Sequence, residues 1–388
     1  MGNPIPIQYV MKVIESPDIL VHGARHALRR RVLGPLDYRR GDGLSRLPAQ
    51  VGLKLVNACN LRCKMCSQWG ESGYNFIRPA AELRQLVPLS TYQKLIDDIA
   101  YYKPWIYVWG GEPFLYRDIM PLIAYMKEKE LLVSITTNGT KIGSHAKDLV
   151  AYGTDILLFS IDGPKDTHDN IRGYKGAFDL TVSALQEIQA EKKRQRKAKP
   201  YIVMTSVFTA NNQSNMEELY EIAEEIGIDM MMTYYAWFQT EESGLHYTQI
   251  LEEKMDITPW SWRGYLWNVD EIDPQAVADT VRRLKSRRWR FPYAFFPELK
   301  PEEIAPYYRN HGHTFGHSKC VAPWTLCGVM PNGDVVTCRD YPDVVLGNIQ
   351  QESLLNIWNS QQAQTFRHLL QGEGLLPICS RCEGLMDI

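Results

Sequence analysis

The sequence has no long apolar run. Its hydrophobic stretches, such as residues 156–161, fall far short of the roughly 20 residues a membrane-spanning helix needs, so no integral membrane segment is expected. The first residues lack the basic-then-apolar layout of a secretion signal. An excess of one charge is missing too. Lys and Arg number 43 against 45 Asp and Glu, for a net charge of −2, so nothing draws the whole chain toward nucleic acid. A length of 388 residues suits one large or two to three ordinary domains, and a hydrophobic content of 45% is ample for a core. Eight cysteines without a secretion signal point to metal rather than a disulfide framework, and to a reducing cytoplasm.

Three of these cysteines are crowded. Cys59, Cys63 and Cys66 follow a strand-like run as Cys-x3-Cys-x2-Cys. An odd set of three cannot close into disulfides alone. It can hold three irons of a [4Fe–4S] cube and leave the fourth open; a zinc site short of one ligand is the other reading. Further along stand Trp-Gly-Gly-Glu-Pro at 109–113, Thr-Asn-Gly at 137–139, Ser-Ile-Asp-Gly at 160–163 and His-Asp-Asn-Ile-Arg-Gly at 168–173. The first three fall at or just beyond the end of an expected strand, and the fourth is in the segment that follows the third.

Cysteine spacing and motifs together resemble the radical S-adenosylmethionine (SAM) superfamily. There the open iron binds the amino and carboxylate groups of S-adenosyl-L-methionine, and one electron splits a C–S bond to give the 5′-deoxyadenosyl radical. The resemblance implies that Gly110, Gly111 and Glu112 bind the SAM ammonium, that Ser160 and Asp162 contact SAM, and that Arg172 pairs with its carboxylate. It implies a loop-shaping part near SAM for Asn138 and a weaker one for Thr205. Met65 stands where the family often has an aromatic residue near the adenine; a thioether can also contact a ring face.

From residue 51 to about 235, strand and helix patterns alternate. Strands are expected over 51–57, 105–109, 131–136, 155–161, 201–208 and 229–235, and helices over 91–102 (capped near Ser90), 117–129, 144–152, 177–191 and 216–226. Nearly continuous apolar strands alternating with helices mean an α/β fold with a parallel sheet. The resemblance implies a partial (β/α)6 TIM-like barrel. Before it lies a basic extension, residues 1–50, with a candidate helix over 14–33 able to touch an anionic substrate, a carrier or a membrane surface. The basic run 192–199 reads as a solvated helix end. After the barrel, residues 236–318 form an aromatic-rich insertion, either a substrate-binding lid or a satellite core.

Residues 319–388 hold the remaining cysteines as Cys320-x12-Gly333-x4-Cys338, then Cys379-x2-Cys382. They resemble the SPASM and shortened twitch modules of radical SAM enzymes. The chain ends six residues past Cys382 without the further ligands of a full module. The shortened form implies one auxiliary [4Fe–4S] cluster on Cys320, Cys338, Cys379 and Cys382, with Cys327 a less favoured substitute and zinc the alternative metal. His311, His313 and His317 read as a loop with unliganded histidines.

A closed auxiliary cluster beside a radical site implies that a substrate radical loses an electron to it and a proton to a base. Tyr234, Tyr235, His246, His311 and His313 are the candidate bases. The expected function is that of a radical SAM oxidoreductase acting on a ribosomally made peptide, with a small-molecule precursor (sugar, aminocyclitol or lipid-like) as the alternative. A low-potential donor such as flavodoxin or ferredoxin is the expected partner. A non-catalytic iron–sulfur electron carrier is the reading from another class.

Overall fold

The computed structural model describes residues 17–386. The candidate helix over 14–33 therefore begins outside the described residues; from Pro17 onward it is present as a helix, Pro17–Leu28, a π-helical turn, Arg29–Leu33, and a second helix, Gly34–Arg40.

All six expected strands form: β1 (Gln50–Lys54), β2 (Trp105–Trp109), β3 (Leu132–Thr137), β4 (Ile156–Ser160), β5 (Tyr201–Val207) and β6 (Met230–Tyr234). They pair in parallel and in chain order. Two short strands extend the parallel run: β7 (Tyr293–Phe296) beside β6, and β8 (Leu326–Val329) beside β1. An antiparallel pair, β9 (Asp334–Val336) and β10 (Val345–Asn348), follows β8. The ten strands make one sheet, ordered β10-β9-β8-β1-β2-β3-β4-β5-β6-β7. Insertion and C-terminal module are thus joined to the barrel by hydrogen bonds.

Alternation along each strand divides the two faces. Val51 and Leu53, Ile106 and Val108, Val133 and Ile135, and Leu157 and Phe159 are fully buried in the core, each contributing roughly 1.5–3 kcal/mol. The crossover helices supply matching stripes. In Leu89–Ile99 the buried residues Tyr92, Leu95, Ile96 and Ile99 recur at helical spacing. That helix follows Pro88, which stands at its N-cap without a side-chain bond, so Ser90 lies inside it. Inward-facing residues are different in kind: Tyr107, Trp109, Thr136, Leu158, Ser160 and Thr205 surround a cavity.

Buried Arg367 fastens the segment before β1 to the C-terminal module. It donates to Gly43 O, Pro323 O and Trp358 O at 2.9–3.0 Å.

Candidate active site

Past β1 the backbone runs beside the turn that follows β2. Leu55 N donates to Trp109 O, Gly111 N to Val56 O and Glu112 N to Ala58 O, at 2.8–3.0 Å. The approach is too close for side chains: a Cβ on Gly111 would lie 2.0 Å from Ala58 O, and one on Gly110 2.7 Å from Val56 O. The cysteine loop then closes on itself through Gly70 N to Cys66 O, 2.7 Å, and is tied to the end of the helix Lys165–Arg172 by Lys64 N to Ile171 O, 2.9 Å.

Cys59, Cys63 and Cys66 open on the inward cavity, about 290 Å³ in volume. The same cavity is lined by Met65, Gly110, Gly111, Asn138, Ser160 and Asp162, and by Arg172 and Thr205. Residues from the C-terminal ends of β2, β3, β4 and β5, from the cysteine loop and from the end of the helix Lys165–Arg172 are thereby brought together. Glu112 is the departure. It is fully buried, not among the lining residues, and its carboxylate accepts from Phe114 N (3.1 Å), Thr137 Oγ1 (2.9 Å) and Asn138 N (2.8 Å). Here it braces the turn after β2 against the turn after β3, with three donors on the carboxylate that the resemblance assigns to the SAM ammonium.

Leu61 N donates to Cys59 Sγ at 3.5 Å, and two side-chain N–H groups also point at cysteine sulfurs. Arg172 Nη1 donates to Cys63 Sγ at 3.7 Å and Asn138 Nδ2 to Cys59 Sγ at 3.9 Å. Arg172 Nη2 also pairs with Asp162 Oδ2 at 2.5 Å, and Asp162 Oδ1 accepts from Val207 N at 3.0 Å. Asp162 thus positions the arginine. Burial pushes the Cys63 thiol up to about 12, with the neighbouring cysteines adding to the shift and Arg172 opposing it. Buried Lys54, at the end of β1, donates to Tyr74 Oη at 3.2 Å and lies over the rings of Tyr74 and Trp109. Burial lowers it to about 7.

Cys320, Cys338, Cys379 and Cys382 form a second group. Cys320 and Cys379 pack in one small cluster. Burial raises Cys338 and Cys382, and the other thiols of the group raise them further. Cys327 stands apart in β8, its Sγ turned toward Gln50 O. It too is pushed up by burial, to about 12, but its charged neighbours are Arg339 and Arg367.

The insertion fills the space between the two groups. Trp237 and Tyr265 line the cavity, while Phe238, Tyr247, Trp262 and Trp289 are buried in the core. Asp340, two residues past Cys338, lines the cavity as well, and its carbonyl accepts from Tyr265 Oη at 3.2 Å. Of the five candidate bases only Tyr234 reaches the cavity. Tyr235 is buried against Tyr307 and Phe208, His246 and His313 are exposed, and His311 packs on Phe238. The sequence does carry Asp340 beside a cysteine, but no spacing rule relates it to residues nearly three hundred positions earlier.

Residues 53–226 match the family model of the radical SAM superfamily, and residues 320–383 match that of an iron–sulfur cluster-binding domain, SPASM. The chain belongs to the radical SAM superfamily. It is 28% identical to the AdoMet-dependent heme synthase of Methanosarcina barkeri, over 88% of this chain and 90% of that protein. It is 23% identical to the subtilosin biosynthesis protein AlbA of Bacillus subtilis, over 81% of this chain and 60% of that one. Among solved structures, Streptococcus suis SuiB bound to S-adenosylmethionine shares the fold with a TM-score of 0.60 at 16% identity, over 84% of this chain and 68% of that chain.

Membership of the radical SAM superfamily brings S-adenosyl-L-methionine and a [4Fe–4S] cluster, and the SPASM module brings auxiliary iron–sulfur binding. The residues present suit both. All eight thiols are free. At the cavity wall Trp109 Nε1 and Arg172 Nε are buried donors without a protein partner among the described residues, available to a ligand rich in acceptors. Among the described residues no three His, Cys, Asp or Glu side chains converge as a single metal ion requires. A cubane takes one thiolate per iron and so needs its ligands spread apart. No helix among the described residues is long and apolar enough to cross a membrane.

Proposed function

We propose that this radical SAM protein is an oxidoreductase that removes two electrons from a small, flat-bodied molecule held in the inward cavity. The observation that carries the reading is the place of Asp340: it follows the auxiliary ligand candidate Cys338 and opens into the same cavity as Cys63 and Arg172. When bound, SAM with its [4Fe–4S] cluster supplies a hydrogen-abstracting radical, and the auxiliary cluster supplies an electron acceptor.

The protein's own residues do the rest. Cys59, Cys63 and Cys66 hold the first cluster, and Cys320, Cys338, Cys379 and Cys382 the second. Gly110 and Gly111 keep the turn thin enough for backbone oxygens to reach an ammonium. Arg172, held by Asp162, offers Nε to an acceptor, and Asn138 and Ser160 add polar contacts. Asp340 takes the substrate proton as the electron leaves. Tyr107, Trp109, Tyr234, Trp237 and Tyr265 wall the cavity with rings. They exclude water and favour a flat apolar body through offset and edge contacts. A low-potential flavodoxin or ferredoxin delivers the priming electron.

The relative matched along nearly its whole length is named as a haem synthase, which favours a tetrapyrrole-class substrate. The likeness to AlbA supports peptide modification as a second reading. Anaerobically reconstituted protein should bind about eight irons as two cubes. With SAM and dithionite it should form deoxyadenosine faster, and an oxidised product, when an iron porphyrin carrying propionates is added. No deoxyadenosine from fully loaded protein would end the enzyme reading. Deoxyadenosine without a porphyrin product would end the tetrapyrrole assignment alone.

A further inference from the structure

The N-terminal helical run presents an apolar face to solvent. Leu20, Val21, Leu28, Val32 and Leu36 are between 42% and 52% exposed. Their spacing places them on one side of a helix. Arg25, Arg31 and Arg39 are exposed alongside them. The opposite side is committed to the protein: His26 packs edge-on against Trp105 at 5.2 Å, and Arg29 Nη2 donates to Tyr102 O at 2.8 Å. Asp37 is buried and paired with Arg40 and Arg46.

A groove of about 670 Å³ lies between this helix and the strand starts. Its wall carries His22, Arg25, Lys103, Lys127 and Lys199 against two acids, Glu130 and Asp155. Asp155 is fully buried and pairs with both Lys127 and Lys199; Lys103 pairs with Glu130. The groove is therefore net positive beside an apolar helix face.

We infer that this face docks the protein on an anionic lipid surface. Exposed aliphatic side chains flanked by arginines are the composition of a helix that lies in the headgroup region, its apolar side inserted and its cations on lipid phosphates. The cationic groove extends the charge complementarity beyond the helix. The geometry also sets the direction of approach. His26 meets Trp105, the first residue of β2, whereas Trp109, the last, lines the cofactor cavity. The docked helix sits at the end of the strands away from the cofactor site, which leaves that site on the water side.

Cosedimentation of reconstituted full-length protein with vesicles tests this. Binding is expected to vesicles of equal parts phosphatidylcholine and phosphatidylglycerol and not to phosphatidylcholine alone, and it should weaken as salt rises. Arg25→Gln/Arg31→Gln should bind about 30-fold more weakly, roughly fivefold per arginine, with its Tm and iron content unchanged. Leu28→Ser/Val32→Ser should lose binding with the same controls. Equal affinity for both vesicle types, no binding to either, or binding undiminished in both variants overturns the inference. So does a dimer of the wild type that Leu28→Ser/Val32→Ser converts to monomer, because the face would then belong to a second copy.

Discussion

Arg172 holds Asp162 at 2.5 Å with one Nη and reaches Cys63 Sγ at 3.7 Å with the other. Both residues are buried, so the pair joins the end of β4 to the cysteine loop in a place water does not screen. Asp162→Ala strands a buried guanidinium and should cost about 3–5 kcal/mol. Asp162→Ala/Arg172→Met removes both charges and should cost clearly less than the two single changes added together. Urea unfolding of the iron-loaded proteins measures the cycle; additive losses would show that the pair is not coupled.

Asp340 predicts a separation of two activities. Asp340→Asn keeps the shape of the residue and removes its basicity. Formation of the oxidised product should fall by about 10²–10⁴-fold, the usual worth of a positioned base, while deoxyadenosine formation from SAM continues. His246→Gln and His311→Gln, both outside the cavity lining, should leave product formation near wild type. Equal loss of both activities in Asp340→Asn would mean that the aspartate supports the fold of the site rather than the proton transfer.

What was legible in the sequence is what is local. Cys59, Cys63 and Cys66 are a short-range pattern, and the turns at 110–112 and 160–163 are short-range too; each follows an apolar strand whose period is plain. The two extra parallel strands were hidden for the opposite reason. β7 is four residues among aromatics and prolines, and β8 runs into a glycine, so neither has the length that marks a strand. Glu112 shows a subtler limit. Its place in the motif is evident, but only the fold shows that Phe114, Thr137 and Asn138 already occupy its carboxylate. Asp340 and Tyr265 reach the cavity through contacts across hundreds of residues, and no periodicity encodes such contacts.

His168 predicts an acid limb in the stability profile. Its Nδ1 accepts from Asp162 N at 3.2 Å, so the proton sits on Nε2 and a second proton would face an N–H donor. Burial, with Arg172's charge adding, lowers it to about 2. The unfolded chain binds a proton near pH 6.5 and the folded chain does not. Stability is therefore full above that pH and is lost as pH falls toward the folded value. Between pH 6.5 and 5 this one group should cost about 2 kcal/mol. Unfolding free energies at the two pH values, in wild type and His168→Asn, give the test; an unchanged difference in the variant would assign the acid limb elsewhere.

Cys327 separates strand residue from ligand. It lies in β8 opposite Val51 of β1, with its sulfur toward Gln50 O, whereas Cys320, Cys338, Cys379 and Cys382 influence one another's protonation. Cys327→Ala should therefore keep the full iron content of the reconstituted protein and lose only packing, about 1 kcal/mol for a small buried side chain. Cys379→Ala/Cys382→Ala should lose about four irons and the oxidised product, yet still cleave SAM. Iron analysis and the visible absorption of the two variants distinguish the arrangements. A loss of iron in Cys327→Ala would move the auxiliary cluster toward β8 and away from the Cys379 turn, and undiminished iron in the double variant would remove that turn from the ligand set.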